Sequence, residues 1–108
     1  MKINSELRVL GIDDLPHKRN QAGNKILAIG TIFRGGKFMD AMLTTHITCD
    51  GDDATSCFIK MINKSKNKPQ LRVILTDGIT FGGFNVIDIR KISEKTNLPV
   101  ISVVRHKP

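Results

Sequence analysis

Leu71-Arg72-Val73-Ile74-Leu75-Thr76-Asp77-Gly78 is a short apolar run, opened after Lys68-Pro69 and closed by a carboxylate and a glycine. A run of this length and composition is a strand packed within a sheet. An earlier stretch ends in the same way: Leu7, Val9, Leu10 and Ile12 lead into Asp13-Asp14, and Pro16 stops it. Between the two, Lys25 to Phe33 and Phe38 to Thr48 are further strands, separated from the first by a polar loop over His17 to Asn24. Gly35-Gly36 joins them, and glycines accept the positive φ of a tight turn, so an antiparallel hairpin is expected.

The hydrophobic period then changes. Ala54, Cys57, Phe58, Met61 and Ile62 recur at helical spacing, with Asp50-Gly51-Asp52-Asp53 before them as turn and cap. After Asp77 comes a glycine-rich loop, Gly78 to Phe84. Asn85 and Asp88 are then expected as N-cap and N3 of a second helix that turns Val86, Ile89 and Ile92 inward and ends near Asn97 and Pro99. Pro99 to Arg105 is a last apolar strand of the kind buried on both faces. This order predicts an α/β fold: a five-stranded mixed sheet with helices after strands three and four, in which strands one, four and five run parallel through right-handed crossovers. If strand four inserts beside strand one, the sheet order is 3-2-1-4-5. Asp13 and Asp77 then meet at one carboxyl edge, where open sheets place their ligands.

The chain of 108 residues suits a single domain over 1–108, burying roughly 65% of its unfolded surface. No apolar stretch approaches a membrane span, and Glu6 and Arg8 interrupt any signal-like run at the start. Cys49 and Cys57 are too few for a disulfide framework, which points to a reducing cytoplasm. Cys49 follows His46 by three residues, but further zinc ligands at suitable spacing are missing. His17, His46 and His106 have no evident nucleophile to serve. The Gly82-Gly83 loop is not a dinucleotide fingerprint; it either lets a backbone approach or serves turn geometry.

The formal charge is +7, and much of the excess sits in Lys60, Lys64, Lys66, Lys68 and Arg72. Such a surface attracts polyanions, nucleic acid above all, although lysines at a helix end also suit the helix dipole and solubility. With no Trp or Tyr and five Phe, a base-stacking platform is not expected. The aspartate pair has two readings. Each carboxylate caps a turn after its strand, or the two share a hard cation such as Mg²⁺ that relieves their repulsion. An ion held there activates water and neutralises charge at a phosphodiester, which would tie the crevice to the basic surface.

Four stretches carry a family resemblance: Gly11-Ile12-Asp13-Asp14, Phe33-Arg34-Gly35-Gly36, Asp50-Gly51-Asp52-Asp53-Ala54-Thr55 and the block from Leu71 through Asp77-Gly78 to Gly82-Gly83-Phe84-Asn85. Together they resemble a mainly archaeal family catalogued as domain of unknown function number ninety-nine, a relative of endonuclease V with a ribonuclease-H-like fold. The resemblance covers about Leu7 to Pro108. It implies that Asp13 is a strand-one metal aspartate and that Asp77-Gly78 matches the strand-four Asp-Gly pair of endonuclease V. Pro99 to Arg105 resembles that enzyme's Pro-x-Ile-Gly-Val-Ala-Lys strand, with Arg105 at the position of a substrate-facing lysine. Where the nucleases open the first helix with glutamate, this chain offers Asp53 or Asp52, shorter in reach.

The relatives also continue past this chain's end, so the C-terminal part of the family fold is expected to be absent. The leading expectation is a Mg²⁺- or Mn²⁺-dependent nucleic-acid phosphodiesterase, or a descendant of one. Asp13, Asp77 and Asp53 would hold the metal, with Arg105, Gly78, Gly82 and Gly83 toward substrate. A non-catalytic nucleic-acid-binding domain is the second expectation. The third is a structural domain that forms a homodimer over its last strand.

Overall fold

The computed structural model describes residues 7–14, 23–35 and 38–104. Strands β1 (Arg8–Asp14), β2 (Lys25–Arg34) and β3 (Phe38–Thr48) are followed by helix α1 (Ala54–Lys64) and a short 3₁₀ turn, Lys68–Gln70. Then come β4 (Leu71–Asp77), the two-residue strands β5 (Thr80–Phe81) and β6 (Asn85–Val86), helix α2 (Ile89–Thr96) and β7 (Val100–Val103). The main sheet has the order β3-β2-β1-β4-β7. That is the expected 3-2-1-4-5 arrangement, the small β5–β6 hairpin taking two numbers within what sequence marks only as a loop.

β2 runs antiparallel to both β1 and β3, whereas β4 runs parallel to β1 and to β7. The carboxyl ends of β1, β3, β4 and β7 therefore share one edge of the sheet. Alternation along the strands sends Leu10, Ile12, Ile26, Ala28, Ile32 and Ile74 to one face, where they are buried with Phe58, Met61, Ile62 and Ile92 of the helices. Phe81 reaches into the same core from the small hairpin, edge-on to Phe58 with ring centroids 5.1 Å apart. This contact helps tie the β4–α2 connection to α1.

Two local expectations are corrected. Asp88, not Asn85, is the N-cap of α2: its carboxylate accepts from the Lys91 amide at 3.1 Å. Asn85 is buried in β6, and Val86 is exposed instead of facing the core. Nor is the last strand covered on both sides, since Ile101 and Val103 are 53% and 47% exposed. With Phe33 and Met42 they line the sheet face opposite the helices, and an apolar run in sequence does not say whether its second face has a cover.

Phe58 carries the most consequential single side chain of this core. Phe58→Ala is expected to cost about 3–5 kcal/mol, as large-to-small changes at fully buried aromatics do. Urea melts showing a much smaller loss would mean that α1 is not anchored through this ring.

Candidate functional site

Pairing of β1 with β4 is in register from Val9↔Val73 to Ile12↔Thr76. Asp13 and Asp77 stand one step further on and point to the helix-free face, because their inner neighbours Ile12 and Thr76 are buried toward the core. Both line a cavity of about 370 Å³ together with Gly11, Thr31, Leu75 and Val103. The cavity is therefore a depression in the open sheet face at its carboxyl edge, with carboxylates at one end and apolar side chains along its floor.

The electrostatics agree with that geometry. Partial desolvation pushes the Asp13 carboxyl above its ordinary value. A hydrogen bond from the Asp14 amide, 2.9 Å, opposes the rise, while the Asp14 carboxyl and the negative charge of Asp77 add to it. A carboxylate that resists ionisation beside a second carboxylate is a site that a cation would relieve. Two hard oxygen donors fit Mg²⁺ or Mn²⁺ in kind. Among the described residues, no three His, Cys, Asp or Glu side chains converge as a metal-binding set.

Asp53 is not brought to this pair. Its oxygens accept from the Thr48 amide at 3.0 Å, the Thr48 hydroxyl at 2.8 Å and the Asn85 side-chain amide at 2.8 Å. Burial alone would raise its pKa, but these bonds outweigh it and hold the carboxyl down at about 2. Lys25 stands 3.7 Å away, a largely exposed ion pair that adds little. Asn85 also accepts from the Ala54 amide at 3.1 Å, so it occupies the open N-terminus of α1 while Asp53 looks back to β3. The side chain expected to hold metal thus joins β3, α1 and β6.

Gly82 and Gly83 likewise serve the frame. The Gly82 amide donates to Asp14 at 2.7 Å, and the Phe84 amide donates to Asp50 at 2.8 Å. Both glycines have positive φ, and a Cβ on Gly83 would collide with Asp50 Oδ1. Of the two uses the sequence left open, turn geometry is the one observed. Gly78 follows Asp77 with φ 75° and donates to the Val103 carbonyl at 2.9 Å, fixing the rim of the cavity. Arg105 lies outside the described residues, as do His17 and the other residues of 15–22.

Sequence reasoning did not find Asn85, Thr48, Asp14 or Asp50 as partners of this edge.

A family model described as Endonuclease dU matches residues 5–108, and the chain belongs to that family. A UPF0215 protein of Methanothermobacter thermautotrophicus is 54% identical over 107 residues, which are 99% of this chain and 52% of the relative. A UPF0215 protein of Methanopyrus kandleri is 50% identical over 99% of this chain and 53% of its own length. The chain spans about half the length of the curated relatives it matches. Among solved structures, a protein of unknown function from Archaeoglobus fulgidus superposes with a TM-score of 0.83 at 40% identity, over 94% of this chain and 56% of the other. Endonuclease V of Ciona intestinalis, solved with DNA containing an inosine followed by a ribo-adenosine, superposes with a TM-score of 0.62 at 17% identity, over 94% and 47%. That likeness shows the fold, a ribonuclease-H-like sheet with its helices.

The bonding of Asp53 sets a pH dependence. Its folded pKa of about 2 lies below the ordinary 3.8, so its contribution to stability is complete above pH 3.8 and disappears as pH falls through about 2. Asp53→Asn is expected to lower the melting temperature at pH 7 and to flatten the parent's loss of stability across that acid window. Parallel melting curves of the two proteins from pH 5 to pH 2 would refute the assignment.

Proposed function

We propose that this member of the endonuclease dU family carries the metal-holding carboxylates of a nucleic-acid phosphodiesterase site, with Asp13 and Asp77 as the pair. The observation that supports this most directly is their placement on one cavity at the carboxyl edge, where desolvation and like charge raise the Asp13 pKa. Family membership and the likeness to endonuclease V support a nuclease-like role for the same edge. Asp13 and Asp77 would hold Mg²⁺ or Mn²⁺ and offset its charge, and the bound ion would supply positive charge at the phosphodiester and acidify water. Gly78, locked to β7, sets the rim against which a backbone phosphate rests, and Arg105 is the side chain proposed to meet it. Phe33 and Val103 give the cavity floor an apolar surface beside the carboxylates. Asp14 works one step removed, by holding the Gly82 loop beside the strand ends.

A second reading, nucleic-acid binding without catalysis, draws on one observation: among the described residues no third ligand joins the pair. The two readings are separated by activity and by metal response together. Incubation with DNA or RNA carrying inosine, or DNA carrying deoxyuridine, plus Mg²⁺ or Mn²⁺ is expected to give cleavage that Asp13→Asn abolishes.

Metal alone is a second measure. A ligand at a hundredfold excess over Kd stabilises the folded chain by about 2.7 kcal/mol. Asp77→Asn should raise the melting temperature in chelator, because one repelling charge is gone, and should remove the increase that Mg²⁺ gives the parent. A Mg²⁺ response without cleavage of any substrate selects the binding reading. A parent that ignores both metals, with Asp77→Asn unchanged, removes the paired site altogether.

A further inference from the structure

Most of the charge in this fold is sorted by strand direction; exceptions among the described residues are Lys25, Arg90 and Lys91 at the carboxyl edge and Asp40, paired with Arg8 at 2.8 Å, at the other. At the carboxyl edge stand Asp13, Asp14, Asp50, Asp52, Asp53 and Asp77, with Asp88 opening α2 beside them. α1 and α2 both start at that edge and run away from it. Their ends, and the chain leading into β4, therefore deliver Lys64, Lys66, Lys68, Arg72 and Lys95 to the opposite edge. A seven-residue strand separates the edges by about 20 Å, more than twice the screening length of about 8 Å in physiological salt. The lysines expected to serve the aspartate crevice thus face away from it.

A cavity of about 300 Å³ lies among these cations, lined by Lys68, Pro69, Arg72, Thr96, Asn97 and Leu98. No acidic side chain lines it, and Glu94 on α2 is the acid nearest in sequence. Arg72 is held in place: its Nη1 donates to the carbonyls of Pro69 and Leu71, both at 3.1 Å. A guanidinium has five N–H donors, so this anchoring fixes its plane and still leaves donors for an anion. The positions are fixed locally as well. Lys68 opens the 3₁₀ turn, whose proline restricts the backbone, and Asn97 closes α2 in the left-handed conformation with φ 60°.

We propose that this amino edge is a binding surface for the phosphate backbone of nucleic acid, separate from the strand-end carboxylates, with Lys68 and Arg72 at its centre. The ligand class follows from charge. Several cations gathered on one edge, with no acid lining the cavity, suit a run of phosphates better than one small anion. Recognition is by charge and carries no base preference, because contacts to phosphates do not read base edges. The surface is independent of catalysis and needs no metal.

The test is titration of the ¹⁵N-labelled chain, in chelator, with single-stranded and duplex oligonucleotides. Amide shifts are expected at Lys66 to Arg72 and at Thr96 to Leu98. Lys68→Glu with Arg72→Glu should weaken binding at least tenfold and reduce the slope of log K against log salt by about two, since each lost phosphate contact removes nearly one. Asp13→Asn with Asp77→Asn should leave those shifts in place. If the charge-reversed variant loses its melting transition, the Lys68→Gln, Arg72→Gln pair gives the same reading at smaller amplitude. The surface is overturned if shifts gather at the carboxyl edge, if neutralising both cations leaves affinity and slope unchanged, or if inorganic phosphate binds as tightly as an oligonucleotide. Binding to anionic phospholipid vesicles in preference to oligonucleotide overturns it too.

Discussion

Parallel pairing of β1 with β4 is the constraint on which the rest of this structure depends. It joins segments more than sixty residues apart in the chain, so its closure entropy must be met by contacts that the segments between provide. The β2–β3 hairpin and α1 fill that interval, and both bury against Leu10, Ile12 and Ile74. Without the pairing there is no shared carboxyl edge, and Asp13 and Asp77 become two unrelated turn residues. With it, two backbones 4.7–4.9 Å apart put two carboxylates side by side in whatever protonation state the surroundings allow.

The other acids of this edge act as tethers. Asp53 joins β3 to β6, Asp50 holds Phe84, and Asp14 holds Gly82, each through backbone or amide donors. Charge-assisted bonds of this kind are stronger than neutral ones and pull a carboxyl toward ionisation. The contrast within one edge is instructive: hydrogen bonding stabilises the charge on Asp53, whereas Asp13 has less compensation for its desolvation. Residues with the same side chain divide into structural and candidate functional groups by what they are bonded to, not by where they lie in sequence.

That division marks the limit of what the sequence discloses. Strand positions and the hairpin follow from local apolar period, and the parallel run of strands one, four and five from the handedness of crossovers, both readable along the chain; the insertion of β4 beside β1, which makes Asp13 and Asp77 neighbours, is seen in the structure. The role of Asp53 follows from partners at Thr48 and Asn85, the latter 32 positions away, and no local pattern encodes such a contact. Asn85 was misplaced for the same reason, since the residue types that cap helices are also those that bridge buried backbone. For β7, composition shows that the strand is apolar but not which of its faces is covered.

Segregation of charge gives the two edges different physics. At the carboxyl edge a polyanion meets aspartates and is repelled unless a cation intervenes, so a bound metal would be a condition of contact as well as a reagent. At the amino edge attraction needs no such mediator. The β4 strand connects the two directly, beginning at Leu71 beside the basic cavity and ending at Asp77 in the acidic one. With the two proposed sites, a polyanion would be attracted at one end of this strand and met by metal at the other, and so be held before the second edge is competent to engage it. Net charge alone, taken as one number, conceals that arrangement; the direction of the strands produces it.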